Sequence, residues 1–207
     1  MASDLLAVED IDEISYRAYR AKDPLPMARE LITAVADKRI ARAEDVPYAL
    51  CVAAEIVERT GDVAAAEALA SRAARDQRAT DPAKGYPMAT HARLLWKVGR
   101  EREAMRALER LRPLLTETAD AAYYVPNTLE EWGRADLAEH WLTDALAALF
   151  TESGAKSDSA GDRRAAATIY ALAVARLRVR QAQGLPSDDF DELAVGLREV
   201  TTANLTA

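Results

Sequence analysis

The chain has 207 residues, with 34 acidic against 27 basic side chains and a formal charge of −7 at pH 7. That balance argues against a general nucleic-acid binder, which needs a net basic face to displace counterions. No uncharged apolar run of about 18 residues occurs, so no transmembrane helix is expected.

Alanine occurs 45 times and glycine 8 times, a ratio that favours helix. No run of alternating β-branched residues suggests a sheet, and the expected class is all-α. Arginine supplies 22 of the 27 positive charges, groups suited to bidentate pairing with carboxylate or phosphate. The single cysteine, Cys51, leaves no internal disulfide and fits a reducing compartment. Met1-Ala2-Ser3-Asp4 lacks the basic n-region of a signal peptide, and the expected location is cytoplasmic.

In chain order, Asp10 is expected to cap a helix from Ile11 to about Arg20. Lys22-Asp23-Pro24 makes a turn, and Pro26 suits the first turn of a second helix. There Met27, Leu31, Ile32 and Val35 keep helical spacing to about Ala36. Asp45 is expected to cap Val46–Thr60, which stops at Gly61, and Asp62 to about Gln77 follows. Asp81-Pro82 and Gly85 mark a loop. Two further pairs are expected, Tyr86–Val98 with Arg100–Leu115 and about Asp120–Trp132 with Arg134–Phe150. Thr151–Asp162 carries almost nothing apolar and reads as a solvated loop. Arg163–Gln183 reads as a long helix, Gly184-Leu185-Pro186-Ser187 as a stop and restart, and Asp188–Val200 as the last helix.

Three of these turns share one pattern. Gly61-Asp62-Val63-Ala64-Ala65-Ala66, Gly99-Arg100-Glu101-Arg102-Glu103-Ala104 and Gly133-Arg134-Ala135-Asp136-Leu137-Ala138 each run glycine, charged residue, three residues, alanine. A helix that stops and reverses within a few residues needs positive φ, which glycine tolerates best. The alanine, one turn into the second helix, lets the two helices approach closely. Ala54 and Ala92 hold the mirror position seven residues before their glycines, and Ala73 and Ala145 lie twelve past theirs. The glycines are 38 and 34 residues apart, within the period range of helical-repeat arrays.

On these residues the chain resembles the tetratricopeptide repeat family, built of 34-residue helix–turn–helix units. Leu111 departs from the pattern at the late small position of the second unit, Ala70 at the large position of the first, and Pro126 at the early small position of the third. A kink or a helix start is expected near Pro126. The implied fold is a right-handed α-solenoid of antiparallel helix pairs, about five in number and three clearly of this type. It forms a single domain over 1–207. An atypical pair lies at 9–37, the repeats at 46–150, the polar loop at 151–162 and a divergent closing pair at 163–200.

The chemistry-bearing residues form no enzyme grouping. His91 and His140 belong to no pair of metal-ligand spacing, and no glycine-rich phosphate loop occurs, so neither metal nor cofactor is expected. The resemblance implies that the first helix of each pair lines a concave groove holding a peptide. Side chains about five, nine and twelve residues into that helix would hold it. These are Cys51, Glu55 and Glu58, then Ala89, Arg93 and Trp96 with Lys97, then Tyr123, Asn127 and Glu130, with Tyr48 and Tyr86 at the rim. Arg176 and Arg180, four apart on one face with Arg178 pointing elsewhere, either meet an acidic partner or, the favoured reading, salt-bridge to a neighbouring helix. The expected function is a non-enzymatic module binding a peptide or partner protein, with no nucleic-acid or membrane partner. An oligomeric scaffold, a homodimer included, and a regulatory or sensor domain acting with a separate partner chain are the alternatives.

Overall fold

The computed structural model describes residues 5–76, 85–152 and 159–196, with 152 and 159–164 described through the backbone alone. Among these residues the alanine-rich sequence folds as helices, and its β structure is one isolated bridge between Leu6 and Ile40. The helices are α1 (Val8–Arg20), α2 (Leu25–Ala36), α3 (Val46–Arg59), α4 (Val63–Arg75), α5 (Gly85–Lys97), α6 (Glu101–Glu109), α7 (Leu114–Glu117), α8 (Ala121–Glu131), α9 (Ala135–Glu152) and α10 (Ser159–Gln183). A closing helix covers 189–196.

The chain gathers into two compact units, Met1–Glu109 and Arg110–Ala207. In the first, α1 to α6 pack each on the next, and α1, α3 and α5 also touch in sequence. In the second, α8 packs on α9, α9 on α10, and α10 on α8, with α7 against all three. Each unit is thus a stack of consecutive helix pairs, solenoid-like in its packing. Ile11, Leu31, Leu50 and Leu94 lie at the centre of the first; Leu115, Leu129, Leu142, Leu146 and Leu172 are fully buried in the second.

The repeated turn has the geometry its glycines require. Gly61, Gly99, Gly133 and Gly184 take φ of +91°, +80°, +69° and +67°. At Gly99 the Arg100 N–H donates to the Leu95 carbonyl at 2.9 Å and the Gly99 N–H to Trp96 at 2.9 Å. The same two bonds recur at Gly133, from Arg134 to Leu129 and from Gly133 to Glu130. They satisfy the orphan carbonyls of a helix end. Gly184 repeats the motif in the closing pair, with Leu185 donating to Arg180 at 3.1 Å. Ala54, Ala66, Ala92 and Ala104 are fully buried and Ala138 nearly so, as close helix approach demands.

Local chemistry differs from expectation at several points. Helix α1 begins at Val8, and Asp10 lies inside it, its Oδ2 accepting from the Ala7 N–H at 2.8 Å. Asp45 stands at the head of α3 without a side-chain capping bond; it ends a 3₁₀ turn, Ala43–Asp45, and lies 3.8 Å from Arg42. Asp62 is a true cap, its Oδ1 accepting from Ala65 at 3.0 Å. The expected helix Arg100–Leu115 breaks after Glu109, because Pro113 lacks the N–H that would reach that carbonyl and its ring clashes there. Pro126 neither starts nor ends α8, which continues through it. Of the polar stretch, 151–152 close α9 and 159–162 open α10, while 153–158 lie outside the described residues. The last helix is described over 189–196, headed by Asp188, whose Oδ1 accepts from Phe190 and Asp191.

Candidate functional site

The first helices α1, α3 and α5 lie side by side in the first unit, and their polar side chains reach from one to the next. Tyr48 donates its hydroxyl to Asp12 Oδ1 at 2.6 Å, and Tyr86 donates to Glu55 Oε1. The two rings sit 6.1 Å apart at 49°. Burial, reinforced by the neighbouring carboxylates, pushes both phenols well above the ordinary tyrosine range, so both remain donors.

Lower on this face, Arg93 Nη1 and Lys97 Nζ both donate to Glu58 Oε1, at 2.7 and 2.5 Å. Burial acts to raise the Glu58 pKa, but the hydrogen bonds from Arg93 and Lys97 outweigh it and hold the carboxyl below its usual value. Arg59 donates to the Ala18 and Tyr19 carbonyls at 3.2 and 3.0 Å, closing the C-terminal end of α1. Cys51 is fully buried, which corrects its expected place on an open groove. That burial pushes its thiol pKa up. Ala89 is buried as well, and Trp96 is half-buried.

The second unit presents a different surface. Residues 171, 174, 175 and 178 share one face of α10, and three of them are small and apolar. Opposite them, α8 brings Ala122, Tyr123 and Asn127, and a cleft of about 320 Å³ lies between, completed by Ala119. Tyr123 is 71% exposed. At the rim, Arg178 Nη2 donates to Glu130 Oε2 at 2.5 Å.

Behind α10, Arg176 and Arg180 face inward. Arg176, only 3% exposed, donates to Thr143 Oγ1, Asp188 and Asp191, and its Nη2 lies 3.1 Å from Glu139. Arg180 donates to Asp191, Glu139 and the Pro186 carbonyl. The Arg176 hydrogen bonds hold the Asp188 carboxyl down to about 2. This network ties the closing helix to α9 and α10, and the salt-bridging reading of these two arginines holds.

The twelve residues read from the sequence therefore separate. Tyr48, Cys51, Glu55, Glu58, Tyr86, Ala89, Arg93, Trp96 and Lys97 lie in the first unit, and Tyr123, Asn127 and Glu130 in the second. Sequence reasoning missed the α10 wall, although Ala171, Val174, Ala175 and Arg178 follow an i, i+3, i+4, i+7 pattern that could have found it. It also missed Tyr16 and Tyr19, 55% and 74% exposed on α1. His91 Nε2 lies 3.0 Å from Glu67, and His140, largely exposed, 3.5 Å from Asp144. Among the described residues, no group of three His, Cys, Asp or Glu side chains is placed to hold a metal ion, and no helix is long and apolar enough to cross a membrane. The chain matches no known protein family and no characterised protein in sequence.

Proposed function

We propose that this protein is a non-enzymatic interaction module of the tetratricopeptide type, which binds a peptide or partner protein through the second unit. The observation that carries the reading is Tyr123, a large aromatic side chain left 71% exposed at the mouth of an apolar cleft. Exposed aromatic anchors beside a shaped apolar recess are the usual energetic centres of interfaces. The four glycine turns, each reversing one helix onto the next, support the repeat assignment. The groove residues Arg93 and Lys97 of the first unit support it less, since they already hold Glu58.

The test is capture from a lysate of the source cell on the immobilised chain, repeated with Tyr123→Ala/Asn127→Ala. A partner lost with this variant, at unchanged helicity and melting temperature, supports the cleft. A partner retained by it moves binding to the first unit.

A second reading, self-association, is favoured by one observation. Phe150 is 45% exposed while stacking 5.8 Å from Phe190, and Val195 is 48% exposed on the closing helix. A monomeric mass at every concentration in sedimentation equilibrium would exclude it.

A further inference from the structure

We infer that the cleft between α8 and α10 selects a bulky uncharged side chain, of leucine, methionine or phenylalanine size, presented by an extended segment of another protein. This inference rests on the interaction reading above and names what that site accepts.

Three features of the cleft converge on this occupant. The first is charge. Arg178 at the rim is held by Glu130 at 2.5 Å, so the two charges largely cancel for anything approaching from solvent. A ligand carboxylate would have to displace Glu130, which the same guanidinium already satisfies. An apolar group displaces nothing.

The second is the floor. Ala122, Ala171, Val174 and Ala175 leave about 320 Å³ open because their own side chains are small. Water against such a floor finds few partners, and an apolar side chain entering it gains burial on several sides. The volume falls at the lower end of ordinary ligand pockets, which fits one large side chain better than a folded element.

The third is the rim. Tyr123 offers a flat wall whose two side-chain torsions cost little to order. The Asn127 amide carries donors and an acceptor, the complement of a peptide group passing over the cleft. An extended backbone crossing at Asn127 with one side chain turned inward meets both. The contrast within this chain is Glu58, where two cations gather around one mostly buried carboxylate; nothing comparable marks the cleft.

The experiment is selection of a displayed library of random short peptides on the full chain, followed by affinity measurement of a synthetic winner. Enrichment of sequences sharing one bulky apolar residue is expected. Their affinity should fall by about tenfold or more with Ala171→Phe, which fills the cleft, and with Tyr123→Ala, whose exposure keeps it from disturbing the fold. Arg178→Gln should change it by less than about threefold. Winners dominated by acidic residues, and lost with Arg178→Gln, would overturn the apolar anchor while leaving the interaction reading intact. Winners indifferent to both Ala171→Phe and Tyr123→Ala, or no enrichment at all, would overturn the cleft as the site. Self-association abolished by Tyr123→Ala would replace the foreign segment with a second copy of this chain.

Discussion

In the first unit, Tyr48, Tyr86, Arg93 and Lys97 end on carboxylates of the preceding first helix, so the face is bound to itself. In the second unit, the corresponding face leaves Tyr123 in solvent over an apolar cleft, and the strong polar bonding lies on the other side of α10. The same residue types therefore do different work. A tyrosine within reach of a carboxylate becomes part of the scaffold; one beside alanines remains available to a partner. Exposed residues of interface-prone type are informative only once their intramolecular bonds are known.

The largest expected effect separates the two arginine environments. Arg176→Ala removes one of the two guanidiniums on the nearly buried Asp191 and on Glu139, leaving Arg180 to hold both, and should cost about 1.5–3 kcal/mol in urea unfolding. Arg178→Ala, at a half-exposed pair, should cost about 0–1 kcal/mol. Similar losses for both would dissolve the distinction between the inner and outer faces of α10.

Acid sharpens the same contrast. The Asp188 pKa is held to about 2, below its ordinary 3.8, so its contribution to stability is present above the ordinary value and lost as the pH falls through the held one. Segment-resolved hydrogen exchange should show the closing helix losing protection across that window. Asp188→Asn should remove the dependence; a helix that opens equally in the variant would point to another group.

Gly99→Ala and Gly184→Ala test what the units share. Both positions have positive φ, and an added Cβ meets nothing within 4 Å at either. The cost is therefore conformational alone, about 1–2 kcal/mol at each site by chemical denaturation. A value near zero at Gly184 would remove the closing pair from the repeat pattern.

The smaller effects concern the tyrosines. Tyr86→Phe removes a hydroxyl donor from the half-buried Glu55 and should cost about 1–2 kcal/mol. Tyr123→Ala should change stability by no more than about 0.5 kcal/mol. A stability loss at Tyr123 as large as that at Tyr86 would make it a packing residue and weaken its assignment to binding.

Much of the architecture is legible in the sequence. Glycine at positive φ, with alanine one turn later, marks a reversal with close helix contact, and that rule located the turns at Gly61, Gly99 and Gly133 and the buried Ala66, Ala104 and Ala138. Pro113 could equally have been read as a break, since a proline inside a helix removes a donor wherever it falls. The expected helix to Leu115 leaves that rule out, and α6 ends at Glu109. The candidate site was less legible. Counting positions along a first helix finds the face a side chain occupies, yet whether Arg93 is open to a ligand depends on Glu58, 35 residues earlier.

The sequence alone determined where helices stop and reverse and which small residues lie between them, because these follow from backbone torsions and side-chain size within a few residues. Only the tertiary structure decided which polar groups are already satisfied. Arg178 binds Glu130 across 48 residues and Tyr86 binds Glu55 across 31. Such pairings depend on which helices become neighbours and how they are staggered, and the strength of a charge–charge contact depends on its exclusion from water. Neither is a local property of the chain.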